Sequence, residues 1–134
     1  MGNFKDILET SKEVDMCTPF MTAAGFAPSL KFVDTHANPD TQHDKLAPDI
    51  GIYPIDDQPQ GGAKTDFSRM DLFIEFKFTD TSDPFCDPED PLQPQVGDFR
   101  FESDSEYARL VCGQLASYAA AHAGCQFRVH IFGR

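Results

Sequence analysis

The chain has 134 residues, of which 40% are hydrophobic, and a formal net charge of −11 at pH 7. This length predicts one domain, with enough apolar side chains to bury a core without disulfides. The acidic balance argues against a surface that binds nucleic acid by phosphate neutralisation alone. No apolar run approaches the ~18 residues of a membrane span, and the start does not read as a signal peptide. We therefore expect an intracellular domain with no membrane segment.

The four cysteines lack C-x-x-C or zinc-finger spacing, which favours reduced thiols in an intracellular protein. Two histidines, His36 and His43, flank a polar loop. A zinc site there is an open alternative, although scattered histidines are more often surface or hydrogen-bonded positions.

The first half of the chain predicts one helix and two strands. Residues 3–16 place apolar side chains on one side of a helix, and residues 30–33 form a short apolar run typical of a strand. A second strand is predicted at 49–53, because Pro48 and Pro54 bound the apolar run.

The second half predicts a strand, a long insertion, a helix and a last strand. Residues 70–78 alternate apolar and mixed positions, which is the strongest strand pattern in the chain. A Pro/Asp-rich insertion follows at about 79–101, and a loop of this length is often a lid, a binding loop or a disordered segment. The segments 102–124 and 127–132 predict the helix and the last strand.

The helix at 102–124 carries two further signals. Ser103 and Glu106 have the spacing of a capping box, in which each residue satisfies a backbone amide at the start of a helix. Gly113 costs the helix about 1 kcal/mol relative to Ala, and predicts a close approach of the helix to a sheet.

The predicted order of elements is αβββαβ over a single domain, residues 1–134. It favours an α/β sandwich with a mixed central sheet of about four strands flanked by helices. The strand–helix–strand unit at 70–132 is expected to form a right-handed parallel crossover.

Two carboxylates and an amine form the most informative pattern. Successive side chains of a strand alternate faces, so Glu75 and Lys77 point the same way. Asp49 is the first residue of the preceding predicted strand, and it lies next to Glu75 and Lys77 if the two strands pair. Carboxylate oxygens suit a hard cation such as Mg²⁺, and a nearby Lys can orient water and balance negative charge. The ordinary alternative is an outward Glu–Lys row on a half-solvated strand.

The helical pair Gln114 and Tyr118 adds to this pattern. The two residues are i and i+4 on one helix face, so their side chains are neighbours. Either they are buried and satisfied by the sheet, or they face the same site as Glu75 and Lys77.

The motifs, in chain order, are Pro48-Asp49, Glu75-x-Lys77 and Gln114-x-x-x-Tyr118. Together they resemble the PD-(D/E)XK nuclease superfamily, which has the restriction-endonuclease-like fold, and the helical motif is similar to its exonuclease branch. The resemblance implies metal-dependent phosphodiester hydrolysis on DNA or RNA. The helical Gln and Tyr would orient the site and the nucleic acid.

The resemblance also implies roles for individual residues. Asp49 and Glu75 would bind Mg²⁺ or Mn²⁺, the carbonyl of Phe76 would add a ligand, and Lys77 would position the nucleophile. Many members take a further acid from the first helix, for which Glu9 and Glu13 are the candidates.

A narrower resemblance covers most of the chain from about residue 30. It rests on residues 48–54, on residues 72–77 with Asp83-Pro84-Phe85 after them, and on residues 113–119 leading to 126–132. These runs resemble the N-terminal region of fungal-type protein kinases. The sequence has no Gly-rich phosphate loop, H-R-D or D-F-G motif, so it is not a kinase as it stands.

This second resemblance leaves an alternative open. The same fold can serve as a non-catalytic regulatory or interaction module that normally precedes a kinase-like domain. Residues 80–106 hold nine acids and one base, and as a solvated loop they can engage a basic protein partner.

Overall fold

The computed structural model describes residues 5–8, 12–25, 27–43, 45–78, 83–86 and 101–126. Its elements, in chain order, are helices α1 (Lys5–Leu8) and α2 (Glu13–Ala23), strands β1 (Leu30–Asp34), β2 (Ile50–Pro54) and β3 (Leu72–Ile74), and helix α3 (Glu106–Gln126). None of the helices in these ranges is long and apolar enough to cross a membrane.

The three strands form an antiparallel sheet in the order β1-β2-β3. Ile52 lies at the centre, opposite Phe32 on β1 and Leu72 on β3. The predicted strand at 127–132 lies outside the described residues, and so does the parallel crossover that depends on it. The mixed α/β class is therefore confirmed, with three antiparallel strands in the part of the chain that the structure describes.

Each face of the sheet carries its own buried cluster and its own helix. Cys17 of α2 packs with Ile50 in one cluster, and Tyr118 of α3 packs with Tyr53 and Phe73 in the other. This division follows from the alternation of side chains along β2, where even-numbered residues face α2 and odd-numbered residues face α3. The sheet is thus sandwiched between α2 and α3.

The first predicted helix is displaced along the chain. Instead of one helix over 3–16, the structure has the single turn α1 and the longer α2, which continues through Pro19 to Ala23. A proline inside a helix removes one backbone hydrogen bond. Packing of Cys17, Phe20 and Met21 against the sheet offsets this loss.

Helix α3 corrects two further expectations. Its cap is Ser105, whose Oγ accepts a hydrogen bond from the Ala108 amide at 3.0 Å, so the predicted capping box at Ser103 and Glu106 is wrong by two residues. Gly113 lies on the exposed side of α3, and a Cβ placed there would meet nothing within 4 Å. Its expected role in a close helix–sheet approach is also wrong.

The two ends of the predicted insertion are joined. Phe85 forms an antiparallel bridge with Glu102, and the Cys86 amide donates to the Phe101 carbonyl at 2.7 Å. The rings of Phe85 and Phe101 stack with centroids 4.8 Å apart. Residues 87–100 lie outside the described part of the chain.

Substitution of Gly51 should destabilise the fold. A Cβ at Gly51 would lie 2.9 Å from Cε2 of Tyr53 and 3.0 Å from Cε of Met70. The tyrosine cannot easily move, because its hydroxyl donates to the Lys64 carbonyl at 2.9 Å. Gly51→Ala should therefore cost about 1–3 kcal/mol of unfolding free energy, the usual range for overpacking, in urea denaturation.

The matched control is Gly113→Ala. Open space surrounds this position, and Ala is the better helix former, so Gly113→Ala should stabilise the protein by about 0.5–1 kcal/mol. Equal effects of the two substitutions would contradict the packing described for Gly51.

Candidate functional site

Asp49 and Glu75 lie side by side at one edge of the sheet. Ile50 of β2 pairs with Ile74 of β3, and the same register carried one residue outward sets Asp49 opposite Glu75. Opposed side chains on antiparallel strands share a face, with Cβ atoms about 4.5–5.5 Å apart. The Asp49 carboxylate also accepts a hydrogen bond from the Phe76 amide at 2.7 Å. The two carboxylates therefore converge on one side of the sheet.

Lys77 joins the same group. Its Nζ donates to Oε1 of Glu75 at 2.8 Å, and both side chains are largely buried, with 21% of Lys77 and 7% of Glu75 exposed. Burial lowers the pKa of Lys77, but the hydrogen bond and charge of Glu75 outweigh it, so the pKa lies above its ordinary value. The ammonium is held in its charged form.

Helix α3 reaches this group through Gln114 and Tyr118. The Gln114 amide donates to Oε1 of Glu75 at 2.8 Å and to the Tyr118 hydroxyl at 2.7 Å. The hydroxyl in turn donates to the carbonyl of Ala47 at 3.0 Å. A continuous chain of hydrogen bonds thus connects the helix, the end of β3 and the loop before β2.

The site holds more negative charge than its donors balance. Burial is the main cause that raises the pKa of both Asp49 and Glu75; hydrogen bonds from the Phe76 amide and from Lys77 oppose it. Oε1 of Glu75 has two donors, but Oε2 is buried without a hydrogen-bond partner. An unpaired buried carboxylate oxygen is costly, and a cation would satisfy it.

A third acid approaches from helix α2. Oε1 of Glu13 accepts a hydrogen bond from the Phe78 amide at 3.0 Å, and the Glu13 charge acts on Asp49 and Lys77. Of the two acids that the sequence offered for the first helix, Glu13 therefore lies near the group. Glu9 lies outside the described residues.

Phe76 contributes its backbone to the site and its ring to the core. The amide binds Asp49, whereas the ring packs edge-on against Phe20 of α2, with centroids 5.5 Å apart. The ring thus anchors the segment directly after β3, which carries Glu75 and Lys77. The Phe76 carbonyl as a metal ligand stays a prediction.

The structure adds groups near Asp49 that the sequence patterns missed. Cys17 is fully buried, and its thiol contacts the Asp49 carbonyl at 3.9 Å. Burial and the negative charges of Asp49 and Asp34 raise the pKa of Cys17 to about 12. The carbonyl of Ala47, which receives Tyr118, had no sequence signal, because a backbone acceptor carries no residue-type information.

The two histidines considered for zinc take separate partners. His36 pairs with Asp34, with Nδ1 and Oδ1 2.5 Å apart. His43 lies between Asp40, 3.3 Å from Nδ1, and Cys125, 3.0 Å from Nε2.

No protein-family model, curated protein or solved structure matches this chain. The function must accordingly be argued from the geometry of the site.

The raised pKa of Asp49 predicts a pH-dependent stability. A carboxyl group whose pKa is raised in the folded state destabilises the fold progressively as the pH rises from the ordinary pKa of the group to the raised pKa. Asp49→Asn keeps an oxygen for the Phe76 amide and buries no charge. The melting temperature of Asp49→Asn should exceed that of the wild type at pH 7. The difference should vanish below about pH 4, near the ordinary pKa of an Asp carboxyl.

The control for this prediction is Asp56→Asn, at an exposed position. It should leave the melting temperature unchanged over the same pH range. A constant difference between Asp49→Asn and the wild type at every pH would contradict charge burial as the cause.

Loss of the Tyr118 hydroxyl should weaken the fold. Tyr118→Phe retains the ring contact with Phe73 but removes the donor to the Ala47 carbonyl and the acceptor for Gln114. We expect a loss of about 1–3 kcal/mol in chemical denaturation, as for an unsatisfied buried polar group. Tyr107→Phe is the matched control; Tyr107 is 65% exposed, and its change should stay within about 0.5 kcal/mol.

Proposed function

We propose that this domain hydrolyses phosphodiester bonds in nucleic acid with the help of Mg²⁺ or Mn²⁺. One observation carries the proposal: a buried oxygen of Glu75 has no donor and lies on the same side of the sheet as Asp49. Hard divalent cations take carboxylate and carbonyl oxygens as ligands. The donor set of Asp49, Glu75 and the Phe76 carbonyl fits such an ion.

The hydrogen bonds around Glu75 favour metal binding over a closed ion pair. Lys77 and Gln114 both donate to Oε1, which fixes the carboxylate in one orientation and leaves Oε2 available. A bound cation would also offset the cost of burying Asp49 and Glu75, which shows in their raised pKa values. When bound, the ion acidifies a water molecule and stabilises charge on the scissile phosphate.

The remaining residues have supporting roles in this proposal. Lys77, charged and next to Glu75, orients the attacking water and balances the charge that develops on the phosphate. Tyr118 holds Gln114, and Gln114 holds Glu75, so the helix keeps the carboxylate in place. These roles agree with those that the resemblance to PD-(D/E)XK nucleases implies.

The acidic surface of the chain is compatible with this role only if a cation assists substrate binding. With a net charge of −11, the protein would repel the phosphates of DNA or RNA. A divalent ion at Asp49 and Glu75 would neutralise these two carboxylates at the point where the scissile phosphate must lie.

The proposal predicts nuclease activity that depends on metal and on two side chains. Supercoiled plasmid, single-stranded DNA and RNA should be cleaved with Mn²⁺ or Mg²⁺ and not with EDTA. Glu75→Ala and Lys77→Ala should lower the rate by at least about 10²-fold, since the first removes a metal ligand and the second a charge beside the reaction. The measurement is the rate of product formation on gels.

Lys31→Ala is the matched control, because Lys31 is an exposed lysine of β1. It should keep the wild-type rate. Unchanged cleavage in both site variants, with their folding verified by circular dichroism, would sink the assignment.

The hydrogen bonds that connect α3 to the sheet favour a second candidate function, a non-catalytic regulatory or interaction module. Glu75, Gln114, Tyr118 and Ala47 form a continuous chain of hydrogen bonds, and this chain ties α3 to the sheet. Such a module would normally precede a kinase-like domain, and the acidic segment at 80–106 would meet a basic partner. Calorimetry with Mn²⁺ separates the candidates: heat that disappears in Glu75→Gln supports the nuclease, and its absence in the wild type supports the module.

A further inference from the structure

A second group of metal-binding side chains lies on the α2 side of the sheet. The Sγ atom of Cys17, a carboxylate oxygen of Asp34 and a ring nitrogen of His36 all lie within 4.8 Å of one another. They come from three places in the fold: the middle of α2, the last residue of β1 and the turn that follows β1.

The fold brings these three side chains together by ordinary packing. Cys17 is fully buried, because α2 covers the face of the sheet that carries Ile50. Asp34 ends β1 directly opposite Ile50, so it shares that face. The chain then turns, and His36 folds back so that its Nδ1 lies 2.5 Å from Oδ1 of Asp34.

The thiol of Cys17 has little else to bind. Its hydrogen-bond contact is to the Asp49 carbonyl, at the long distance of 3.9 Å. Apolar side chains of the sheet pack against one part of it, and the Asp34 carboxylate and the His36 ring lie within 4.8 Å of its sulfur.

We propose that Cys17, Asp34 and His36 form a binding site for a zinc-class divalent ion, separate from the oxygen-only group at Asp49 and Glu75. One sulfur, one imidazole nitrogen and one carboxylate oxygen are ligands typical of zinc and cobalt, whereas Mg²⁺ selects oxygen. Three protein ligands leave the fourth tetrahedral position open to water or another molecule.

Binding changes the protonation of the site in a balanced way. The S–H bond of Cys17 breaks as the sulfur–metal bond forms, and the proton leaves to solvent. For Nδ1 of His36 to bind the metal, the proton that it donates to the Asp34 carboxylate moves to Nε2 or leaves to solvent, and the nitrogen–metal bond replaces that hydrogen bond. The ion enters from the exposed His36 side, and Cys17 forms the floor of the site.

Cobalt reports directly on this site. Titration of the full chain with Co²⁺ should produce thiolate-to-cobalt charge-transfer absorption in the near ultraviolet, and stoichiometric Zn²⁺ should remove it. Cys17→Ser should abolish the band. His36→Ala should weaken Co²⁺ binding by more than about 10-fold, because loss of a direct ligand should cost at least as much as loss of a residue that only orients one.

The chain contains a matched control pair. Cys125 contacts one ring nitrogen of His43 at 3.0 Å, and Asp40 lies against the other ring nitrogen. Their side chains therefore lie on opposite sides of the ring and do not chelate one ion. Cys125→Ser should therefore keep the full cobalt band. A band that survives in Cys17→Ser, or disappears in Cys125→Ser, would overturn the proposal, as would a wild-type protein without the band.

Two variants keep the test independent of folding and of the proposed nuclease. If Cys17→Ser does not fold, His36→Ala decides, because the His36 side chain is 36% exposed and its loss leaves the core intact. Asp49→Asn should keep the band while abolishing Mn²⁺ binding at the oxygen-only group. The experiments can then contradict either proposed metal site without contradicting the other.

Discussion

The pairing of Ile50 with Ile74 is the constraint on which the candidate site depends. Both side chains belong to the cluster beneath α2, and their pairing sets the register of β2 against β3. A slip by one residue would turn every side chain of β3 to the opposite face. Glu75 would then replace Phe76 against α2, and a carboxylate would be buried where a ring now packs. Burial of apolar side chains thus fixes the position of the acidic pair.

The acidic pair in turn explains why α3 carries polar residues on a packed face. Gln114 and Tyr118 would weaken an apolar interface if they were not hydrogen-bonded. Here they donate to Glu75 and to the Ala47 carbonyl, so the helix is held by polar contacts as well as by the rings around Tyr118. The remaining cost is a buried carboxylate oxygen without a donor, which a cation at the proposed metal site would offset.

Asp49 lies at the boundary between two chemically different groups. Its carboxylate belongs to the oxygen-rich group with Glu75, while its carbonyl lies near the thiol of Cys17 on the α2 side. Because β1 ends and β2 begins at this edge, one short stretch of sheet carries only oxygen groups on one face and a thiol with an imidazole on the other. The sheet itself thereby separates the two proposed metal sites.

The sequence by itself determined the mixed α/β class, the strands at 30–33 and 49–53, and a common face for Glu75 and Lys77, because alternation and i, i+4 spacing are local rules. The sequence did not predict the start of α2, the cap at Ser105 or the exposed position of Gly113, since packing against the sheet overrides local signals. Only the tertiary structure decided that Asp49 faces Glu75, and that Cys17 meets Asp34 and His36. Strand register and helix docking join residues distant in the chain, and no local pattern encodes those distances.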